Sequence, residues 1–210
     1  MALVIAVDGP AASGKGTVAS ALAAHFGLPY LDTGLLYRAV GVALAAAGGD
    51  LDDGQAAGDV AAALALGSLD DPKLRTRAAG EAASRVAVHA QVRQALLDLQ
   101  RRFAGQPGGA VLDGRDIGTV IAPDATAKLF VTATPDVRAE RRWKQLTGQG
   151  ETATLEEVLA DIRLRDERDA GRAAAPLVQA ADAHLLDTSQ RSIDAAFREA
   201  LRLVEMSRSL

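Results

Sequence analysis

Val4-Ile5-Ala6-Val7-Asp8-Gly9-Pro10-Ala11-Ala12-Ser13-Gly14-Lys15-Gly16-Thr17 is the stretch whose reading decides the fold. An apolar run stops at Asp8, glycines frame a loop, and Lys15 and Thr17 open a helical pattern: strand, phosphate-cradling loop, helix. Gly9 and Gly14 permit backbone dihedrals that turn several N–H groups into one concavity, where they hold the oxygens of a polyphosphate. The helix beginning near Lys15 adds the positive end of its dipole, and the Lys ammonium reaches the terminal phosphates. The bland alternative is a glycine-rich turn with an incidental Lys. Lys is scarce here, four of the 23 basic residues, and both the preceding strand and the following amphipathic pattern are in place. Gly9, Pro10, Ala11, Ala12, Ser13, Gly14, Lys15, Gly16 and Thr17 are therefore expected to bind a nucleoside triphosphate.

At 210 residues the chain suits one domain with insertions and a proper core. A hydrophobic fraction of 49% argues against bulk disorder. The net charge of −4 argues against general nucleic-acid or anionic-membrane binding, so neither partner is expected. Without cysteine there are no disulfides, thiolate metal sites or thiol nucleophiles. No apolar run approaches the roughly 18 residues of a membrane span, and no basic lead-in precedes the first segment, which Asp8 and Pro10 interrupt. A cytoplasmic location and a monomeric state are expected. Arg greatly outnumbers Lys and Ala is abundant, a bias that weakens any Arg cluster as a functional signal. Position has to carry the argument.

Downstream, short apolar runs alternate with helical periods. Leu3–Val7, Tyr30–Asp32, Ala110–Leu112, Lys128–Val131 and Ala183–Leu186 read as strands. Helices are predicted over Lys15–Phe26, over Leu35–Ala47 with Thr33 as its cap, over Asp136–Leu146 behind Pro135, and over Leu155–Arg172 and Ile193–Met206. Lys73–Phe103 is helical in period. Asp50–Pro72 reads as an exposed excursion with an alanine helix near Val60–Leu66, and Gln145–Thr154 as a polar, glycine-rich, mobile link. No internal repeat is present. The alternation predicts an α/β fold, about five parallel strands with helices on both faces.

Ligands of open α/β sheets sit at the carboxyl ends of strands. Asp32-Thr33-Gly34-Leu35-Leu36-Tyr37-Arg38 follows the second strand, and Asp113-Gly114-Arg115-Asp116-Ile117-Gly118-Thr119 the third. Two carboxylates and a guanidinium around Gly114, at the end of a buried strand, favour a site. On the later charged helix, Arg165, Arg168, Asp169 and Arg172 share one face. Spacing alone favours a solvated stripe there, held by Arg–Asp pairs worth little individually. Arg138, Arg141 and Arg142 share a face after the fourth strand, in reach of nucleotide phosphates or adenine.

The loop's ending, Gly14-Lys15-Gly16-Thr17, has the hydroxyl one residue later than the general motif and resembles the nucleoside monophosphate kinase version. With Leu31-Asp32-Thr33-Gly34-x-x-Tyr37-Arg38, the Asp113–Thr119 run and Arg165-Asp166-x-Arg168-Asp169-x-x-Arg172, the chain resembles the bacterial cytidylate kinases from residue 3 to beyond 190. The Phe-Pro-Arg motif of adenylate kinases and the Asn-Lys-x-Asp of GTPases are absent. The resemblance implies a single P-loop kinase domain over 1–210, with an acceptor-binding insert near 48–83 and a lid near 144–172. It implies ATP with Mg²⁺ as the donor system and CMP or dCMP as the acceptor. Thr33, Arg38, Ser84, Arg93, Asp116 and Arg172 would surround the acceptor's cytosine and phosphate, with Asp113 beside them. Arg165 and Asp169 would face its sugar and Arg115 its phosphate. Lys15, Arg115, Arg142 and Arg165 would be the catalytic charges, Arg138 and Arg141 further ATP contacts, and Thr17 the Mg²⁺ ligand, directly or through water. Family members usually carry a small antiparallel hairpin in the insert; Leu66–Arg77 is too short and too broken by Gly, Asp and Pro for a full one, so a reduced insert is expected.

The implied reaction needs no general base, because a phosphate monoester with a second pKa of about 6 is already largely ionised at neutral pH. In-line placement and charge stabilisation would carry it, with the lid excluding water. Two other readings stay open at this point: a kinase for another acceptor, such as UMP or a hydroxyl metabolite, and a non-catalytic nucleotide-dependent switch.

Overall fold

A computed structural model describes residues 2–65, 69–172 and 175–209. Its centre is β1 (Leu3–Asp8), in which Ile5, Ala6 and Val7 are fully buried, as the unbroken apolar run requires of a strand covered on both faces. β3 (Gly109–Gly114) and β4 (Ala127–Thr132) flank it in parallel, so that Val7 stands level with Asp113 and Leu129. β2 (Tyr30–Asp32) lies outside β3, and β5 (His184–Asp187) pairs in parallel with β4. The five-stranded order is β2-β3-β1-β4-β5, with helices around the sheet, as expected of an α/β P-loop kinase.

The chain folds as two compact units, 1–31 with 103–210 and 32–102. In the first, α1 (Lys15–Phe26) and the last helix, Ile193–Arg208, press Val18, Leu22, Ala200 and Val204 onto Ile5, Val111, Leu129 and Leu186. Another helix pair, Pro135–Gly148 and Leu155–Ala170, encloses Ala139, Leu146, Val158 and Ile162. Thr154 and Glu157 start the later helix of that pair with reciprocal caps: Glu157 N–H donates to Thr154 Oγ1 (3.2 Å) and Thr154 N–H to Glu157 Oε2 (2.9 Å).

The second unit carries α2 (Thr33–Ala46), α3 (Gly54–Ala62), a 3-10 turn at Pro72–Arg75, α4 (Arg77–Val86) and all but the last two residues of α5 (Ala90–Ala104). Continuing this numbering, Pro135–Gly148 is α6, Leu155–Ala170 is α7 and Ile193–Arg208 is α8. Gly41 lets α2 approach α4 closely, since a Cβ there would lie 2.8 Å from that of Ala82. The structure departs from three expectations. The helix expected at Val60–Leu66 begins at Gly54, because Asp53 accepts from the Gln55 and Ala56 amides and caps it there; Leu66 lies outside the described residues. Thr33 is the first helical residue of α2 rather than its cap, which is Asp32, accepting from Gly34 N–H at 2.9 Å. The helical period of Lys73–Phe103 is three elements, broken after Val86 where the chain turns and His89 Nε2 meets Leu51 O at 2.9 Å. Of the stretch 66–77, residues 66–68 lie outside the described residues; the rest holds the 3-10 turn and the start of α4, with no strand.

Candidate active site

The phosphate loop forms where β1 stops. Gly9 has φ 151° and no space for a side chain: a Cβ would lie 2.0 Å from Val131 O. Gly14, at φ 92°, stands at the N-cap of α1, and no side chain caps that end. The first amides of α1 therefore face the concavity, which suits an anion. Ala12 holds φ 58° without being glycine, a strained conformation. Ser13 Oγ is buried and has no hydrogen-bond partner among the described residues.

Three side chains brace this loop from behind. Thr188 Oγ1 donates to Ser13 O at 2.7 Å. Arg141 reaches Ser13 O (3.3 Å), Thr188 Oγ1 (2.9 Å) and Thr188 O (2.8 Å). Arg138, expected to reach phosphate or adenine, is 3% exposed. It donates to Ala133 O, Ala11 O and both oxygens of Asp166, at 2.5–3.2 Å. It ties the loop's backbone to α7.

Two buried carboxylates lie under the loop. Asp113, at the end of β3, accepts from the Tyr30 hydroxyl at 2.7 Å and faces Lys15 Nζ at 3.5 Å. Asp8 accepts from the amides of Ile117 (2.8 Å) and Gly118 (2.7 Å), which open a π-helical turn at Ile117–Ile121. Burial pushes its pKa up to about 6 against those two hydrogen bonds, with the Asp116 charge adding to the rise and Arg115 opposing it.

The face of α7 is no solvated stripe. Asp169 is 0% exposed, and three guanidinium groups surround it: Arg115 Nε at 2.7 Å, Arg172 Nη2 in direct contact, and Arg165 Nε at 4.0 Å. Burial alone would raise its pKa, but Arg115, Arg165 and Arg172 outweigh that and hold it at about 2. The fold turns this stripe inward, and Arg115 crosses over from the β3 side to meet it. Helical spacing cannot register a partner that arrives from 54 residues away.

Beside the loop, a cavity of about 320 Å³ is lined by Ala12, Gly14, Thr17, Val18, Ala21, Arg141, Arg142, Gln145, Thr188, Arg191, Ser192, Ile193, Ala196 and Phe197. Arg142 donates to Gln145 Oε1 at 2.8 Å, and burial lowers its pKa from the usual guanidinium range. Sequence reasoning had named Arg141 and Arg142 but missed Thr188, Arg191, Ser192, Ile193 and Phe197. The signal was present: Thr188 directly follows the carboxyl end of the last strand, the position where such sheets bind ligands.

Four of the expected acceptor residues belong to the second unit. Thr33 is buried at the start of α2, and Arg38 Nη1 donates to Leu74 O (2.8 Å) and Thr76 O (3.3 Å). Arg93 stands over the Tyr37 ring, 5.9 Å from its centroid. Ser84 is 1% exposed, and its Oγ has no hydrogen-bond partner among the described residues.

The chain is similar to known proteins over nearly its whole length. The family model described as Cytidylate kinase matches residues 5–206. The chain is 66% identical over 209 residues to a cytidylate kinase of Caulobacter vibrioides, covering 100% of this chain and 98% of that one. It is 65% identical over 207 residues to one from Xanthobacter autotrophicus, covering 99% of each. A solved structure of an uncharacterized protein from Eubacterium ventriosum shares the fold at a TM-score of 0.58 and 13% identity, with 98% of this chain and 99% of that one covered.

Proposed function

From the premise that the chain belongs to the cytidylate kinase family, we propose how its residues divide the reaction. The enzyme transfers the γ-phosphate of ATP to CMP or dCMP, giving CDP or dCDP and ADP. The observation that carries the division is the Asp169 cluster. Three guanidinium groups are gathered on one buried carboxylate in the same unit as the phosphate loop.

On the donor side, the loop from Gly9 to Thr17 takes the polyphosphate. Lys15 follows the terminal phosphates, and the neighbouring cavity takes the adenosine end beside Arg141 and Arg142. Arg138 serves ATP by holding Ala11 in place. The oxygen donors suit a hard cation: Thr17 offers a hydroxyl beside the cavity and Asp113 a buried carboxylate. Among the described residues no cluster of three or more His, Asp or Glu exists to strip its water. Thr17, and Asp113 through water, would hold Mg²⁺, which would neutralise charge on the β- and γ-phosphates.

On the acceptor side, Arg115 meets the CMP phosphate, Arg165 and Asp169 its sugar, and Arg172, Asp116, Thr33, Arg38, Ser84 and Arg93 its phosphate and base. Cytosine presents an amino donor beside acceptors at N3 and O2, so one carboxylate with hydroxyl and guanidinium donors matches its edge. The unpartnered, buried hydroxyl of Ser84 supports that role, since such a group is costly unless a ligand completes it. The attacking phosphate oxygen is already ionised at neutral pH, so these residues orient it and spread charge rather than abstract a proton. Lys15, Arg115, Arg142 and Arg165 supply that positive charge in the transition state.

Residues 48–83 would form the acceptor insert and 144–172 the lid. The protein would act as a cytoplasmic monomer without nucleic-acid or membrane partners; among the described residues no helix is long and apolar enough to cross a membrane. The test is an acceptor panel read by ADP release. CMP and dCMP should give the highest kcat/KM, and Lys15→Ala should nearly abolish turnover. A panel in which UMP or a hydroxyl compound outpaces both cytidine monophosphates would sink the assignment.

A further inference from the structure

Asp8 is the last residue of the central strand, and the phosphate loop begins at the next position. In the sheet it stands level with Gly114 on β3 and Phe130 on β4. Asp8 is 5% exposed, yet among the described residues no cationic side chain pairs with it. Both oxygens go instead to the amides of Ile117 and Gly118.

Those amides open the turn at Ile117–Ile121, and the residue at its N-cap position is Asp116. A residue so placed ordinarily caps with its own carboxylate. Asp116 makes no capping hydrogen bond; Asp8, more than a hundred residues earlier, does that work in its stead. Gly118 serves the same contact: a Cβ there would lie 3.3 Å from Asp8 Oδ2 and 3.2 Å from Lys128 Cδ, crowding the carboxylate. Arg115, one residue before Asp116, meanwhile reaches Asp169.

We infer that Asp8 is a positioning residue: by capping Ile117 and Gly118 it fixes the Arg115–Asp116 turn against the first residue of the phosphate loop. Donor loop and acceptor turn are thereby built on one side chain, which sets the distance between the two phosphates without touching either. The inference rests on Arg115 and Asp116 serving the acceptor. Burial holds the carboxyl above its ordinary range, the two amide hydrogen bonds oppose that rise, and the nearby Asp116 charge adds to it.

Asp8→Asn keeps the shape but sets an NH₂ group against one of the two amides. With CMP, kcat should fall at least tenfold while KM for ATP stays within threefold. In Asp8→Asn combined with Arg115→Lys, the loss should match the worse single variant within threefold, as expected if both act through one turn. Amide exchange at Ile117 and Gly118 should speed up at least tenfold. A kcat within threefold of the parent, or losses that multiply in the double variant, would overturn the inference. So would amides that stay equally protected. Should Asp8→Asn fail to fold, Gly118→Ala decides in its place, because it crowds Oδ2 while leaving the carboxylate present, and the same loss of kcat is required. Failure of the acceptor reading looks different: Asp116→Asn would leave the CMP/UMP ratio untouched, while the exchange rates at Ile117 and Gly118 would still judge Asp8.

Discussion

Asp8 at the end of β1 and Asp169 near the end of α7 are both buried carboxylates, and the protein treats them in opposite ways. Asp169 is ringed by Arg115, Arg165 and Arg172 and titrates at about 2. Asp8 has two backbone amides and the nearby charge of Asp116, and it titrates at about 6. Burial is alike, so the difference comes from what each carboxylate holds. Asp169 gathers side-chain cations, full charges that an anionic substrate can attract. Asp8 holds backbone amides, whose partial charges are weaker.

The strongest way to break the comparison is to remove Asp169. Asp169→Ala leaves three guanidinium groups without their shared counter-ion, and stability in urea should fall by about 3–5 kcal/mol. A loss below about 1 kcal/mol would mean that the cluster is solvated after all.

pH separates the two sites by sign. Asp169 has a folded pKa of about 2, below its ordinary value of 3.8, so its stabilisation is complete above about pH 4 and is lost as pH falls towards 2. Asp8 is the reverse, at about 6 against 3.8: from about pH 4 to 6 the folded state holds a proton that the unfolded chain has released. Stability should therefore decline across that window, by about 3 kcal/mol from Asp8 alone. Urea titrations should show the decline removed by Asp8→Asn and the acid loss below pH 4 reduced by Asp169→Asn. Identical pH profiles for parent and both variants would refute the contrast.

Asp116 links the two regions, and neutralising it should bring Asp8 down towards the ordinary carboxylate range. Asp116→Asn should also shrink the CMP/UMP ratio of kcat/KM by roughly ten- to a hundredfold, chiefly through loss on CMP, since a well-placed base contact is worth about 1–3 kcal/mol. If Asp113→Asn collapses the ratio instead, the two acids have exchanged roles.

The smallest effect concerns the loop that follows Asp8. Ala12→Gly relieves a left-handed conformation worth about 1 kcal/mol but adds freedom to the unfolded chain, so stability should change by less than about 1 kcal/mol and kcat by less than twofold. A large loss of kcat would show that the strain is used.

Much of this site was legible in the residues. The loop and the Asp113–Thr119 run lie where the alternation of strands and helices puts strand ends, and the α7 charges share one helical face. The helix boundaries in 50–103 were less legible, because alanine-rich sequence carries little period. There Asp53 and Thr76, not hydrophobic spacing, decide where helices start. The inward turn of Asp169 was misread because local spacing is the same for a wet and a dry helix face.

Gly9, Gly14, Lys15 and the alternating strands determined by themselves that this chain is a P-loop fold binding a nucleoside triphosphate, since those features are local and few backbones accommodate them. The acceptor motifs, as a set, pointed to cytidylate. Only the tertiary structure decided which charges are buried, that Arg138 braces Ala11 and Asp166, that Asp169 collects three guanidinium groups, and that Asp8 caps a turn 109 residues away. Electrostatic energy depends on distance and on exclusion from water, and neither is set until segments far apart in the chain are packed together.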